Sequence, residues 1–181
     1  MSKNKSEHLS LGETLKTIII TFVIYYFIFN VLLVNSVIPS GSMMNTINIG
    51  DRVLADRIFY RINGIERGDI VIFRISEDSN YLIKRAIGLP GETIEGKDGY
   101  VYIDGNKLEE PYVKDLLDEN FGPYVIPENC YFMMGDNRTN SLDSRYWDEK
   151  FVSSDKIVGK ALFKYLSNFE LFKTPNYSVQ E

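Results

Sequence analysis

Very few groups in this chain could attack a covalent bond. Its only histidine is His8 and its only cysteine is Cys130. His8 precedes a long apolar run, so beyond that run no Ser-His-Asp triad can be assembled, and Cys130 has no imidazole to draw off its proton. What remains is a hydroxyl with a lysine or a carboxylate as its base. Hydroxyls stand at the end of the apolar run, in Pro39-Ser40-Gly41-Ser42-Met43-Met44. An ordinary lysine titrates near ~10.4 and must be neutral to accept a proton, so a lysine base needs a desolvated pocket; lowering it by about 3 pH units corresponds to about 4 kcal/mol. Lys84, between Tyr81-Leu82-Ile83 and Ala86-Ile87, has an apolar strand around it, but so do Lys160 and Lys164, and any of them could instead snorkel from a strand edge. The pattern alone leaves the three open. One Cys and one His also leave too few ligands for tetrahedral zinc, and no acids are spaced as in a calcium loop, so neither metal nor cofactor is expected.

The elements that must carry these groups begin with the run itself. From Thr17 to Gly50 there is no charged residue, and Thr17 to Ile38 is dominated by Ile, Phe, Val and Leu. As a helix rising 1.5 Å per residue, that stretch covers the roughly 30 Å hydrocarbon layer. A cleavable secretory signal would have a shorter apolar region followed by small residues, whereas the first alanine here is Ala55. The expectation is a retained transmembrane helix over 17–38, preceded by a cytoplasmic segment 1–16. Lys3, Lys5 and Lys16 precede it and the first basic residue after it is Arg52, which places the N-terminus in the cytoplasm and the following domain on the extracytoplasmic side of the cell membrane. The chain has 181 residues, 44% of them hydrophobic, and a net charge of −5, which argues against nucleic acid as a partner.

After the anchor the period shortens. Asp69–Ile75, Tyr81–Ile87, Cys130–Met134 and Val158–Tyr165 are short β-branched or aromatic runs with turn residues around them, as strands are. Tyr100-Val101-Tyr102-Ile103, then Asp104-Gly105, then Asn106-Lys107-Leu108 predicts a hairpin, since Asp-Gly supplies the positive φ angles of a type I′ turn. The fold class read from this is mainly β: an antiparallel β-sheet domain over 39–173. Val113–Asn120 is its only plausible helical piece, and 174–181 reads as a polar tail.

Four segments, in order, carry a resemblance. Pro39-Ser40-Gly41-Ser42-Met43-Met44, Arg67-Gly68-Asp69-Ile70-Val71-Ile72-Phe73, Lys84-Arg85-Ala86-Ile87-Gly88-Leu89-Pro90-Gly91-Glu92 and Gly135-Asp136-Asn137-Arg138-Thr139-Asn140-Ser141-Leu142-Asp143-Ser144-Arg145 resemble the four boxes of the bacterial type I signal peptidases, which are Ser/Lys dyad serine proteases. The resemblance implies a membrane-bound endopeptidase that removes signal peptides from exported preproteins, cutting after small residues at Ala-x-Ala sites. It implies Ser42 as nucleophile and Lys84 as general base, with the Ser40 hydroxyl and the Ser42 backbone N–H as oxyanion hole. Ser141 would orient the lysine, and Asp136, Asp143 and Arg145 would be structural support. Each has a plainer role open to it: turn serines for Ser40 and Ser42, a solvated loop serine for Ser141, a buried ion pair for the charges.

The same likeness implies that Ile38, Pro39, Leu82 and Ile83 line shallow pockets for small side chains, although in packing terms they would be ordinary core residues. The substrate is expected as an added strand, presented at the lipid bilayer to a protease anchored there. Two positions depart from the usual pattern: Asn45 stands where proline is common, and Thr139 where aspartate is frequent. The segment 92–127 is short beside the second domain of some relatives, so only a hairpin-bearing flap is expected. The alternative reading is a membrane-anchored scaffold of the same fold without activity.

Overall fold

The structure, a computed structural model, describes residues 10–175 and 177. Lys3, Lys5, His8 and the end of the expected tail lie outside the described residues. The chain opens with a helix, α1 (Leu11–Phe27), begun by a capping box: Ser10 Oγ accepts from the Glu13 N–H at 3.3 Å and the Glu13 carboxylate accepts from the Ser10 N–H at 3.1 Å. It continues through a π-helical turn, Ile28–Leu32. Within the 22 residues from Leu11 to Leu32 an 18-residue stretch has a mean hydropathy of 2.0 and none of it is buried within the protein; at 1.5 Å per residue the 22 extend about 33 Å.

The helix therefore stops short of the expected Ile38. At Leu33 the backbone turns extended (φ −121°, ψ 152°), and β1 (Leu33–Val37) pairs antiparallel with β2 (Arg52–Asp56), Leu33 opposite Asp56 and Val37 opposite Arg52. Val34 and Ile38 turn into the core while Asn35 and Val37 face out. An apolar β-branched run serves helix and strand equally, so its composition could not mark this boundary.

Further strands are β3 (Ile70–Phe73), β4 (Leu82–Gly88), β9 (Cys130–Met134), β10 (Val152–Ser153) and β11 (Ile157–Tyr165), joined in the order β1-β2-β11-β3-β4-β9-β10, with β12 (Glu170–Leu171) also on β11. Every pairing is antiparallel. All four residues of β3 are buried, which is why it reads as an unbroken apolar run rather than an alternating one. A second sheet is built from β5 (Thr93–Lys97), β6 (Tyr100–Ile103), β7 (Asn106–Lys107) and β8 (Phe121–Val125), in the order β7-β6-β5-β8. The predicted hairpin is its β6–β7 corner, with Asp104 at φ 50° and Gly105 at φ 80°. The flap is thus a four-stranded sheet, with a core of Ile87, Ile94, Val101, Ile126, Phe132 and Met134 joining it to the first.

Val113–Asn120 forms no helix. Leu117 is drawn into that core instead, and its N–H donates to the Gly99 carbonyl at 3.0 Å. A one-turn helix lies at α2 (Tyr60–Asn63), started by Asp56, whose carboxylate accepts from the N–H groups of Ile58, Phe59 and Tyr60. At the other end Thr174, Pro175 and Tyr177 pack on the domain where a frayed tail was expected: Thr174 Oγ1 donates to Asp69 at 2.8 Å, and the Tyr177 and Tyr112 hydroxyls share a hydrogen bond at 2.9 Å.

Candidate active site

Ser42 sits where the chain leaves the β1–β2 edge and turns over. Ile38 still belongs to that ladder, its N–H donating to Asp51 at 3.0 Å and its carbonyl accepting from Gly50 at 2.9 Å. Then Met44 N–H donates to Gly41 O at 3.1 Å and Ile47 N–H to Met43 O at 2.8 Å, coiling the chain into a turn anchored by the fully buried Met43 and Ile47. Ser42 begins this turn and is only 8% exposed, with Ser40 Oγ 3.5 Å from its Oγ. Asn45 has φ 91°; proline, locked near −65°, could not stand there, so the departure from the usual motif goes with a different backbone path.

The loop after β9 clasps this turn. Asn137 donates from its N–H to the Ser42 carbonyl at 3.1 Å and from its side chain to the Gly41 carbonyl at 3.0 Å. Gly135 is the point of closest approach: a Cβ placed there would lie 2.3 Å from Ser141 Oγ and 2.4 Å from Ser42 O. Only glycine lets the serine turn and Ser141 come together. Ser141 Oγ is buried and has no hydrogen-bond partner among the described residues. An unpartnered buried hydroxyl is costly, and it stands ready for a donor.

Lys84 lies on β4, opposite Val71 of β3, and is 4% exposed. Burial is the largest influence on its amine; the nearby Asp143 opposes it, Arg145 adds to it and Asp136 opposes it, and the outcome is a titration pulled down to about 8. The other two candidate lysines are held differently. Lys160 Nζ is 2.7 Å from Asp69, and Lys164 Nζ is 2.8 Å from Glu170 while donating to the Thr46 carbonyl at 2.7 Å. Among the described residues Lys84 alone of the three has no ion-pair partner.

Buried charges hold the pieces in register. Asp143 accepts from the Gly135 N–H at 2.9 Å and is gripped by Arg145, Nε to Oδ1 at 2.8 Å and Nη2 to Oδ2 at 3.0 Å; Arg145 also donates to the Arg138 carbonyl at 2.9 Å. Asp136 answers to a different arginine: Arg85, next to Lys84 on β4, binds it through Nε at 2.8 Å and Nη2 at 2.5 Å. Thr46 Oγ1 donates to the same carboxylate at 2.5 Å. Through Asp136, then, the turn carrying Ser42 is tied to the strand carrying Lys84. Arg138 braces the loop from the flap side, bidentate to Glu110 at 2.7 and 2.5 Å while donating to Gly135 O at 3.1 Å. Sequence reasoning did not single out Arg85, Thr46, Glu110 or Arg138. Arg85 and Arg138 lie within the four motifs, where only their charge hinted at a role; Thr46 and Glu110 lie outside them and carried no signal.

The four apolar positions divide. Ile38 and Ile83 share one cluster with Met43, Ile47 and Ile72, beneath the Ser42 turn. Leu82 packs against the cluster of Val71, Phe73 and Ala86 on the opposite face of the sheet, and Pro39 is exposed. The Ser42 hydroxyl has its side-chain contact with Ser40 Oγ, Ser141 Oγ has no partner among the described residues, and the Lys84 amine, pulled down to about 8 by burial, is a group of the kind that can accept a proton.

Comparison with known proteins gives a consistent result. Residues 11–166 match the family described as signal peptidase, peptidase S26. The chain is 36% identical over 184 residues to signal peptidase I S of Bacillus subtilis (strain 168), covering 96% of this chain and 98% of that one. It is 34% identical over 173 residues to signal peptidase IB of Staphylococcus aureus (strain N315), covering 86% and 89%. The crystal structure of a signal peptidase I from Enterococcus faecalis V583 aligns with a TM-score of 0.43 at 34% identity, over 52% of this chain and 94% of that one.

Proposed function

The chain belongs to the signal peptidase family, peptidase S26, and from that premise we propose that it is a membrane-anchored serine endopeptidase working through Ser42 and Lys84. Its reaction is the removal of signal peptides from preproteins. The observation that carries the dyad is the convergence at Gly135: one loop touches the Ser42 carbonyl and the Ser141 hydroxyl and is fastened to Asp143, within whose field the desolvated Lys84 amine lies.

Neutral Lys84 takes the Ser42 proton as Oγ attacks the scissile carbonyl carbon. The oxyanion accepts hydrogen bonds from the Ser42 N–H and the Ser40 hydroxyl. The Lys84 ammonium then gives its proton to the leaving amine, and a water activated by the same amine hydrolyses the acyl-enzyme. Ser141 Oγ, buried and unpartnered, supplies the acceptor that steadies the lysine, while Asp143–Arg145 and Arg85–Asp136 keep geometry rather than move protons.

The substrate lies extended beside the domain, its alternate side chains directed inward. Small residues of the Ala-x-Ala kind are the side chains taken beside Ile38 and Ile83, which share one cluster with Met43 of the Ser42 turn, with Pro39 at the rim. Leu82, two residues before Lys84 on β4, shares the lysine's face of the sheet and packs there against Val71, Phe73 and Ala86. The helix Leu11–Leu32 crosses the bilayer with its start in the cytoplasm and the domain on the extracytoplasmic side, and lipid-held preproteins meet the site at high effective concentration. The test is incubation of the purified full chain in detergent with a preprotein. Release of a mature N-terminus by the wild type and none by a folded Ser42→Ala chain is expected; turnover by that variant would remove Ser42 as nucleophile.

A further inference from the structure

The segment that ends the described chain lies across the back of the site. Thr174 Oγ1 bonds Asp69 at 2.8 Å, a carboxylate also paired with Lys160 and accepting from the Glu66 N–H. Pro175 and Tyr177 then fill the space over Gly68: a Cβ there would lie 2.6 Å from Pro175 Cδ and 2.8 Å from the Tyr177 hydroxyl. Tyr177 meets Tyr112 of the flap, hydroxyl to hydroxyl at 2.9 Å, and Tyr112 donates to Glu110 at 2.9 Å. The Tyr112 ring lies under the Arg85 guanidinium, 3.9 Å from its carbon to the ring centroid. Two routes thus lead from Tyr177 to the site: Tyr112 to Arg85 to Asp136 and Thr46, and Tyr112 to Glu110 to Arg138 and the Gly135 carbonyl.

Next to these contacts is a cavity of about 830 Å³ lined by Asn45, Thr46, Ile70, Arg85, Tyr112 and Pro175, among others. Pro175 forms part of its wall, and Arg85 and Thr46, the two groups that hold Asp136, face it. The cleft is open to solvent on one side, and withdrawing the Pro175 wall widens the approach of water to that ion pair, which weakens it.

We infer that Thr174, Pro175 and Tyr177 form a strap, and that Tyr177 is a positioning residue for the Ser42–Lys84 site, acting through Tyr112 on the Arg85–Asp136 and Glu110–Arg138 pairs. The strap clamps flap to sheet and keeps water from the back of the charged support. Without it the loop at Gly135 loosens, and the lysine becomes easier to protonate as its surroundings admit water. The groups facing the lysine are Asp143, Arg145 and Asp136; those facing Tyr177 are Tyr112, Arg85, Glu110 and Asp136.

This inference rests on the dyad reading, and its test separates the two. Tyr177→Phe, Tyr177→Ala and a chain ending at Lys173, each with the N-terminal helix in place, are assayed in detergent across pH 6 to 10.5, and the Lys84 amine is titrated by NMR of isotope-labelled lysine in a Ser42→Ala background. Expected for Tyr177→Ala and the shortened chain is a roughly 5- to 20-fold loss of kcat at pH 8 with KM changed less than twofold, recovered in large part at pH 10, with the Lys84 midpoint moved upward. Tyr177→Phe, which keeps the ring and loses only the hydroxyl, falls between these and wild type. An unmoved Lys84 midpoint in a folded Tyr177→Ala chain, or a kcat loss equal at all pH values, overturns the strap. Because the NMR titration needs no turnover, its outcome bears on the strap whether or not Ser42 is the nucleophile, which is judged from the activity of Ser42→Ala alone.

Discussion

Lys84 shows how one residue can cost stability and still be kept. Burial holds its amine at about 8 in the folded chain, against about 10.4 when unfolded. Its folded value is the lower one, so the unfolded state binds more protons between those limits and stability rises with pH across that window; below pH 8 the whole penalty, about 3 kcal/mol, is felt. Lys84→Met should therefore be inactive yet more stable by about 3 kcal/mol at pH 6, with the gain shrinking toward nothing by pH 10.5, as urea unfolding at the two pH values would reveal. Gly135→Ala tests the opposite kind of residue. Its methyl would collide with Ser141 Oγ and Ser42 O, so a loss of about 1–3 kcal/mol and of more than 100-fold in kcat is expected; near-normal turnover would mean that the two serines need not meet. At Asn45, φ 91° predicts that Asn45→Gly is tolerated, whereas Asn45→Pro, restoring the commoner residue, destabilises by about 2 kcal/mol or more, readable as a fall in Tm.

Elements matter here through what fastens them. Three separate pieces meet at the site: the turn after β1, the strand β4 and the loop after β9. Arg145–Asp143 secures the loop and Arg85–Asp136 with Thr46 secures turn to strand. Removing one partner of such a pair leaves an uncompensated buried charge and costs about 3–5 kcal/mol. Arg145→Met should do so, and it should also move the rate profile to higher pH, because the arginine that opposes protonation of Lys84 is gone while Asp143 stays. A pH profile superposable on that of wild type would sever Arg145 from the lysine. These fastenings explain what the sequence could and could not disclose. Ser40, Ser42, Lys84, Ser141, Asp143 and Arg145 stand out as expectations because they sit in contiguous motifs. Pattern alone leaves Lys84, Lys160 and Lys164 alike, since the ion pairs that set the last two apart are made with Asp69 and Glu170, which arrive from elsewhere in the chain. Likewise the Tyr112–Tyr177 and Glu110–Arg138 contacts join residues far apart in sequence, where no local period reports them. The hairpin at Asp104-Gly105 was readable because its cause is local; β1 was hidden inside an apolar run, and Val113–Asn120 lost its helix to the pull of Leu117 into the core.

At the scale of the molecule, the anchor and the two sheets must occupy defined sides of the bilayer for the proposed reaction to take place. With Cys130→Ser as background, a cysteine placed at Asp98, an exposed turn residue of the flap sheet, should react with a membrane-impermeant maleimide on intact cells, and one at Ser2 should react only after lysis. The reverse pattern would invert the topology. The charge asymmetry around the apolar run motivates this expectation.

The anchor helix gives way to β1 at Leu33 with no slack between them, and the Arg57 N–H and guanidinium reach back to the Leu32 and Asn30 carbonyls at 2.9 and 3.0 Å. A lever with no hinge keeps its tip at one altitude, so Ser42 would hover at a set height above the headgroups and act as a yardstick along any polypeptide threaded through the same lipid. Cut position would then follow how far a client's own apolar stretch protrudes, and splicing a few glycines between Leu32 and Leu33 should blur that ruler, smearing one product into several neighbouring N-termini.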